Sequence, residues 1–215
     1  MKRFLLACSA LVLSASAALA QTSAGSPVNQ VPQIGVSTAY LSRASYSAVW
    51  IGLAPAATTT DLICIAASST KTVRLQNIKL SGSAGTTLSL PVTVLRRASL
   101  DSGGTAASTT ANPANTIGKR DNNNVASTAT LVSYTANPTI NDTSPTYLDS
   151  AQLAVSLTTM ATVSIPVTFD WAKDTENFVQ PPVLAAGSTQ QICVNFNSTS
   201  LSSGLITGSI TWTEE

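Results

Sequence analysis

The last strand-like run of the chain, residues 205–213, alternates without a slip. Ile206, Gly208, Ile210 and Trp212 fall on one side, and Thr207, Ser209, Thr211 and Thr213 on the other. A period of two builds a half-buried strand and gives a helix no coherent face. Eight further runs rich in Val, Ile, Leu and Thr share this character: 48–53, 62–66, 72–80, 86–96, 127–134, 152–157, 162–169 and 190–196. Clusters of Gly, Pro, Asn, Asp and Ser separate them, and beyond residue 20 no apolar set recurs at helical spacing over three turns. Pro91 inside the fourth run predicts an edge strand or a bulge, because proline cannot donate to a ladder. Nine short strands with turns between them predict an all-β fold, a single antiparallel β-sandwich of the jelly-roll kind.

The amino terminus has the grammar of export. Lys2 and Arg3 form a short positive region, residues 4–17 are apolar or small, and Ala18-Leu19-Ala20 fits an A-x-A cleavage site before Gln21. As a membrane span the run is broken by Ser9, Ser14 and Ser16, and it falls short of the roughly 20 apolar residues needed. Too little apolar chain precedes Cys8 for a lipoprotein signal. The expected organisation is therefore a cleaved signal peptide over 1–20, a linker or N-terminal arm over 21–40, and a β-sandwich domain over 41–215. No second stretch is long enough to cross a bilayer. The expected location is the periplasm or the exterior.

Composition then narrows the chemistry. The chain has no histidine, and only 11 basic and 10 acidic side chains. Histidine is the usual general base and a common metal ligand, so little acid/base or metal equipment remains. Enzymatic function, cofactors and metals are not expected. Without Lys2 and Arg3 the charge is close to neutral. The basic doublets Arg96-Arg97 and Lys119-Arg120 each have an acid nearby, Asp101 and Asp121, and read as solvated loop-edge charge. Nucleic-acid binding, which needs a basic face, is not expected. Low net charge permits association of the chain with copies of itself.

Cys8 leaves with the signal, and Cys64 and Cys193 remain. In an oxidising compartment an even pair is a candidate disulfide. The alternative is two buried free thiols, since each lies in an apolar strand-like run.

The longest interruption, residues 98–126, carries Asp101-Ser102-Gly103-Gly104-Thr105 and Asp121-Asn122-Asn123-Asn124. Loops of this length are often functional. Asp-Ser-Gly-Gly is reminiscent of the nucleophile motif of chymotrypsin-like proteases, but without histidine that triad has no base. An aspartic-protease dyad fails too, because Asp142-Thr143-Ser144 and Asp174-Thr175-Glu176 lack the glycine. A turn remains, in which Asp bonds the backbone and glycines supply positive φ. The Asn-rich segment offers oxygen ligands for calcium but lacks EF-hand spacing, and reads as a second turn. For sugar stacking the aromatic candidates are Trp50, Trp171, Tyr134, Tyr147 and Phe178. Of the tryptophans, Trp50 and Trp212 lie in strands and belong to the core, whereas Trp171 and Phe178 flank a polar stretch and line a loop surface. The expected contact loops thus comprise Arg96, Arg97, Asp101, Asp121, Asn122, Asn123, Trp171 and Phe178. Asn141-Asp142-Thr143 and Asn197-Ser198-Thr199 match the glycosylation sequon, which carries no meaning in a chain of bacterial character.

An ordered set of motifs, Val92-Thr93-Val94-Leu95-Arg96-Arg97, Asp101-Ser102-Gly103-Gly104-Thr105, Ala126-Ser127-Thr128-Ala129-Thr130, Tyr134-Thr135-Ala136-Asn137-Pro138-Thr139 and Ile210-Thr211-Trp212-Thr213-Glu214-Glu215, resembles a group of small proteins encoded by tailed phages and prophages. The resemblance runs from about Tyr46 to the C-terminus. It implies a jelly-roll virion component, a head decoration or tail-associated protein acting through protein–protein contacts, with no catalytic residues. The signal peptide is the departure, because virion proteins of tailed phages assemble in the cytoplasm. Two function classes stand: a structural assembly protein, oligomeric or bound to capsid or tail proteins, and an exported binding module such as an adhesin or carbohydrate binder.

Overall fold

The computed structural model describes residues 43–106, 116–157, 164–174, 180–201 and 203–215, all within one compact unit, Ser42–Glu215. The expected leader, the arm and Phe178 lie outside the described residues. The strands are β1 (Ala44–Leu53), β2 (Thr58–Ala66), β3 (Val73–Ala84), β4 (Leu88–Arg97), β5 (Thr105–Ala106), β6 (Gly118–Lys119), β7 (Thr130–Ala136), β8 (Thr146–Leu157), β9 (Val167–Asp170), β10 (Val183–Leu184), β11 (Gln191–Ser200) and β12 (Leu205–Glu214). A single helical turn, α1 (Trp171–Asp174), follows β9. Each of the nine expected runs contains a strand, but the run 127–134 becomes strand only at Thr130 and the run 162–169 only at Val167, with residues 162 and 163 outside the described residues.

Two sheets pack face to face. One has the order β9-β3-β12-β1-β6, with β10 also beside β3; the other runs β5-β7-β2-β11-β4-β8. If β1, β2, β3, β4, β8, β9, β11 and β12 are counted as eight strands, the sheets read 1-8-3-6 and 2-7-4-5. That interleaving is the jelly roll, two Greek keys folded onto one another. The short β7 adds a strand beside β2. At its end β8 leaves β4 and runs parallel to β3 at Ser156 and Leu157, so one strand joins both sheets.

Alternation decides which side chains meet between the sheets. Ile206, Ile210 and Trp212 of β12 face inward as the sequence predicts, against Tyr46 and Trp50 of β1 and Leu75, Ile78 and Leu80 of β3. From the other sheet come Ile63, Ile65, Val92, Val94, Leu153, Ile192, Val194 and Phe196. The Tyr46 and Trp212 rings stack with centroids 5.9 Å apart. Trp50 lies opposite Gly208, where any side chain would strike its ring.

Three expectations need correction. Trp171 does not line a loop surface. It directly follows β9, stacks on Phe169 at 6.0 Å and is buried in the core. Strand β4, which carries Pro91, is an interior strand rather than an edge. Proline is tolerated because the ladder to β11 ends at Thr93–Asn195, leaving Pro91 without a partner on that side. Arg97 is not solvated loop-edge charge but fully buried.

The chain's penultimate residue closes one end of the sandwich. Glu214 is buried and accepts hydrogen bonds from the Thr128 amide (3.0 Å) and hydroxyl (2.9 Å), the Ala129 amide (3.2 Å), the Trp212 indole (3.2 Å) and the Ser127 hydroxyl. Burial pushes its pKa up, but these donors outweigh burial and hold it below the usual value.

Candidate functional site

The outer face of the β2–β11–β4 sheet carries a second, separate cluster. Leu95, Cys193 and Cys64 are register partners across three neighbouring strands, and they pack with Tyr134 and Val132 of β7. Cys64 and Cys193, directly opposite one another, form a disulfide that closes a separation of 129 residues. Of the two alternatives left by the sequence, the bonded pair is realised. Such bonds belong to oxidising compartments.

A bulge brings charge into this cluster. Val194 pairs with Ile63, but the next residue, Asn195, pairs with Asp61, so Leu62 is the extra residue. Leu62 turns into the main core and Asp61 faces outward with Cys64. Bulges re-aim side chains in this way. Asp61 accepts from Arg97 Nε at 2.5 Å and Nη2 at 2.9 Å, and from Asn195 Nδ2 at 2.5 Å. Arg97 Nη1 donates to the Asp142 carbonyl at 2.7 Å. Asp142 in turn accepts from the backbone amides of Ala98 (2.6 Å) and Ser144 (2.9 Å), which hold its carboxyl below the usual range.

The start of the long loop covers this arrangement. Ser102 and Thr139 exchange backbone hydrogen bonds of 3.1 and 2.7 Å, and β5 pairs with β7. Gly103 and Gly104 have φ of 65° and 73°, and a Cβ on Gly104 would meet Pro138 at 2.9 Å, so Asp-Ser-Gly-Gly is the expected turn. The turn aims Asp101 inward. Its Oδ1 lies 3.8 Å from Arg97 Nε, and its side chain is fully buried. Burial, reinforced by the neighbouring Asp61 carboxylate, pushes its pKa up to about 7; Arg97 opposes this without cancelling it. One guanidinium faces two carboxyls, so the compartment is neutral when Asp101 keeps its proton.

Asp61, Cys64, Asp101 and Cys193 place one donor atom each within 4.8 Å of one another. Their chemistry does not suit a metal. The sulfurs are bonded to each other rather than free as thiolates, and Asp61 is taken by Arg97 and Asn195.

The expected contact residues do not form one site. Arg97 and Asp101 meet in the buried cluster. Arg96 lies on the other face of β4 and donates to the Val183 carbonyl at 3.0 Å. Exposed Asp121, Asn122 and Asn123 form a turn beside β6, in which the Asn123 amide donates to Asp121 Oδ1 at 2.9 Å. Of the aromatic candidates, Tyr134 is buried and Tyr147 is open to solvent. The sequence assigns no site role to Asp61 or Asn195, and offers Asp142 only as a failed dyad partner and part of a sequon, although an acid heading the apolar run Leu62-Ile63-Cys64-Ile65 already asks for a buried partner.

A groove of about 370 Å³ runs along this face beside the cluster, with Tyr147 and Leu95 on one flank and Asn197 and Ser198 on the other. Fold and site together define a disulfide-linked jelly roll with a buried ion-pair cluster under one sheet face. No family model, curated protein or solved structure matches the chain.

Proposed function

We propose that this chain is a non-enzymatic structural protein, exported to an oxidising compartment, that works by binding other proteins and first of all copies of itself. The observation that carries this reading is the state of one tight group of ionisable residues. Asp61, Arg97 and Asp101 are buried and engaged with one another, with Asn195 and with the 98–104 and 137–144 loops. They brace a scaffold. Further support comes from the outer face of the β3–β12–β1 sheet, where small side chains such as Ser47, Ser209 and Thr211 surround exposed Val49. Small residues permit close approach of a second flat face, and the near-neutral charge opposes it little. The likeness to small phage and prophage proteins makes the finer role a head decoration or tail-associated subunit, and the Cys64–Cys193 bond supports export.

The test is light scattering on the full chain expressed with its own leader, over a hundredfold concentration range. An oligomer that Val49→Asp converts to monomer at unchanged melting temperature supports the reading. A strict monomer at every concentration overturns it.

A further inference from the structure

Eight aromatic residues are described, and seven of them are 7 % exposed or less; Tyr147 is 66 % exposed. Its ring stands on β8 opposite Leu95, at the rim of the groove. A tyrosine left open forgoes the burial that usually holds such a ring, while presenting an apolar face and a polar tip.

Across the groove, β11 does something costly. Asn197 and Ser198, both non-glycine, have φ of 52° and 59° in the middle of a strand. Residues with side chains rarely occupy this region, because the Cβ crowds the backbone there. The distortion lifts both side chains out of the ladder, whose register breaks between Asn195 and Thr199, and leaves them exposed. Asn195 Oδ1 accepts from the Asn197 amide at 2.6 Å, and Asn195 is itself fixed to Asp61. A buried anchor thus holds a strained display. The third wall is the loop of Asp142 and Thr143, pinned by Arg97.

The groove therefore offers an aromatic face, carboxamides, hydroxyls and a carboxylate on rigid supports. Its charge selects among ligands. Arg97 is the one cation among its lining residues, and Asp61 neutralises it, while Asp142 adds negative potential. Phosphate, sulfate and uronate groups find no free partner there. The centre of a protein interface, by contrast, is dry and apolar with several anchors. We propose that this groove binds a neutral oligosaccharide, with one sugar ring stacked on Tyr147 and its hydroxyls bonded by Asn197, Ser198, Thr143 and Asp142. The proposal is independent of whether the chain assembles with itself.

The experiment is a glycan array carrying neutral hexose oligosaccharides and sulfated and uronate-containing ones, probed with the protein obtained from the full chain. Calorimetry then follows with the best-retained neutral oligosaccharide. Retention of neutral sugars is expected, with affinity reduced about tenfold or more by Tyr147→Ala. Asn197→Gly is the second variant. Glycine relieves the positive φ while removing the carboxamide, so melting temperature rises as affinity falls, a combination that loss of structure does not produce. Retention of acidic glycans alone, retention of none, or binding indifferent to both substitutions overturns the proposal.

Discussion

Asp101 Oδ2 lies 3.7 Å from the sulfur of Cys64, so a loop carboxyl and a sheet disulfide share one buried compartment. The loop is held over the sheet by this compartment as well as by its backbone bonds. The proton on Asp101 is part of that hold.

A pH dependence follows. In the unfolded chain Asp101 titrates near 3.9, whereas in the folded protein burial and Asp61 raise it to about 7. Between these values the folded state binds more protons, so stability falls as pH rises through the window and the contribution is gone above about 7. Arg97 opposes the shift, and Tyr134, itself pushed up by burial and by both acids, faces the same compartment. Thermal unfolding from pH 4.5 to 8.5 is expected to show this decline. Asp101→Asn flattens it and raises the melting temperature at pH 8 more than at pH 5. An unchanged slope in the variant contradicts the assignment.

Breaking the ion pair on one side should be harsh. Arg97→Met strands the Asp61 charge and is expected to cost about 3–5 kcal/mol. The double variant with Asp61→Leu removes both charges and recovers more than half of that loss. Urea unfolding of the two singles and the double measures the coupling.

The disulfide closes 129 residues, for which chain entropy gives about 5 kcal/mol. Cys64→Ala with Cys193→Ala should lower the denaturation midpoint by a corresponding amount. The effect of a reducing agent on the parent protein should vanish in the double variant.

At Gly208 a methyl group would lie 2.6 Å from the Trp50 ring and closer still to the Lys79 carbonyl. Gly208→Ala should therefore cost about 3 kcal/mol, because the Trp50 ring is locked in the core and the Lys79 carbonyl belongs to the β3 backbone paired with β12. Near-parental stability in the variant would show that β1 can shift away from β12.

The nine runs were legible because alternation is local: Ile206, Ile210 and Trp212 point inward whatever their partners. The interleaved order of the sheets was less so, because it depends on which strands pair. The buried cluster was hidden for the same reason. Asp61 meets Cys64's face only through the bulge at Leu62, and Arg97 meets Asp61 only through the order β2-β11-β4. A doublet such as Arg96-Arg97 looks solvated until the strand places its two members on opposite faces. Trp171 misled because the polar residues after it suggested a surface, whereas its contact is Phe169, two residues before it.

Cys64 lies near the start of the domain and Cys193 near its end, and most of the chain runs between them. A protease that nicks the backbone anywhere in that interval leaves two fragments still tied by sulfur. Because β2 and β11 are neighbours in one sheet, the tie sits where the fragments are already zipped together. A single cut between the two cysteines therefore releases no loose piece: the two fragments stay covalently joined at the very strands that hold them together by backbone hydrogen bonds.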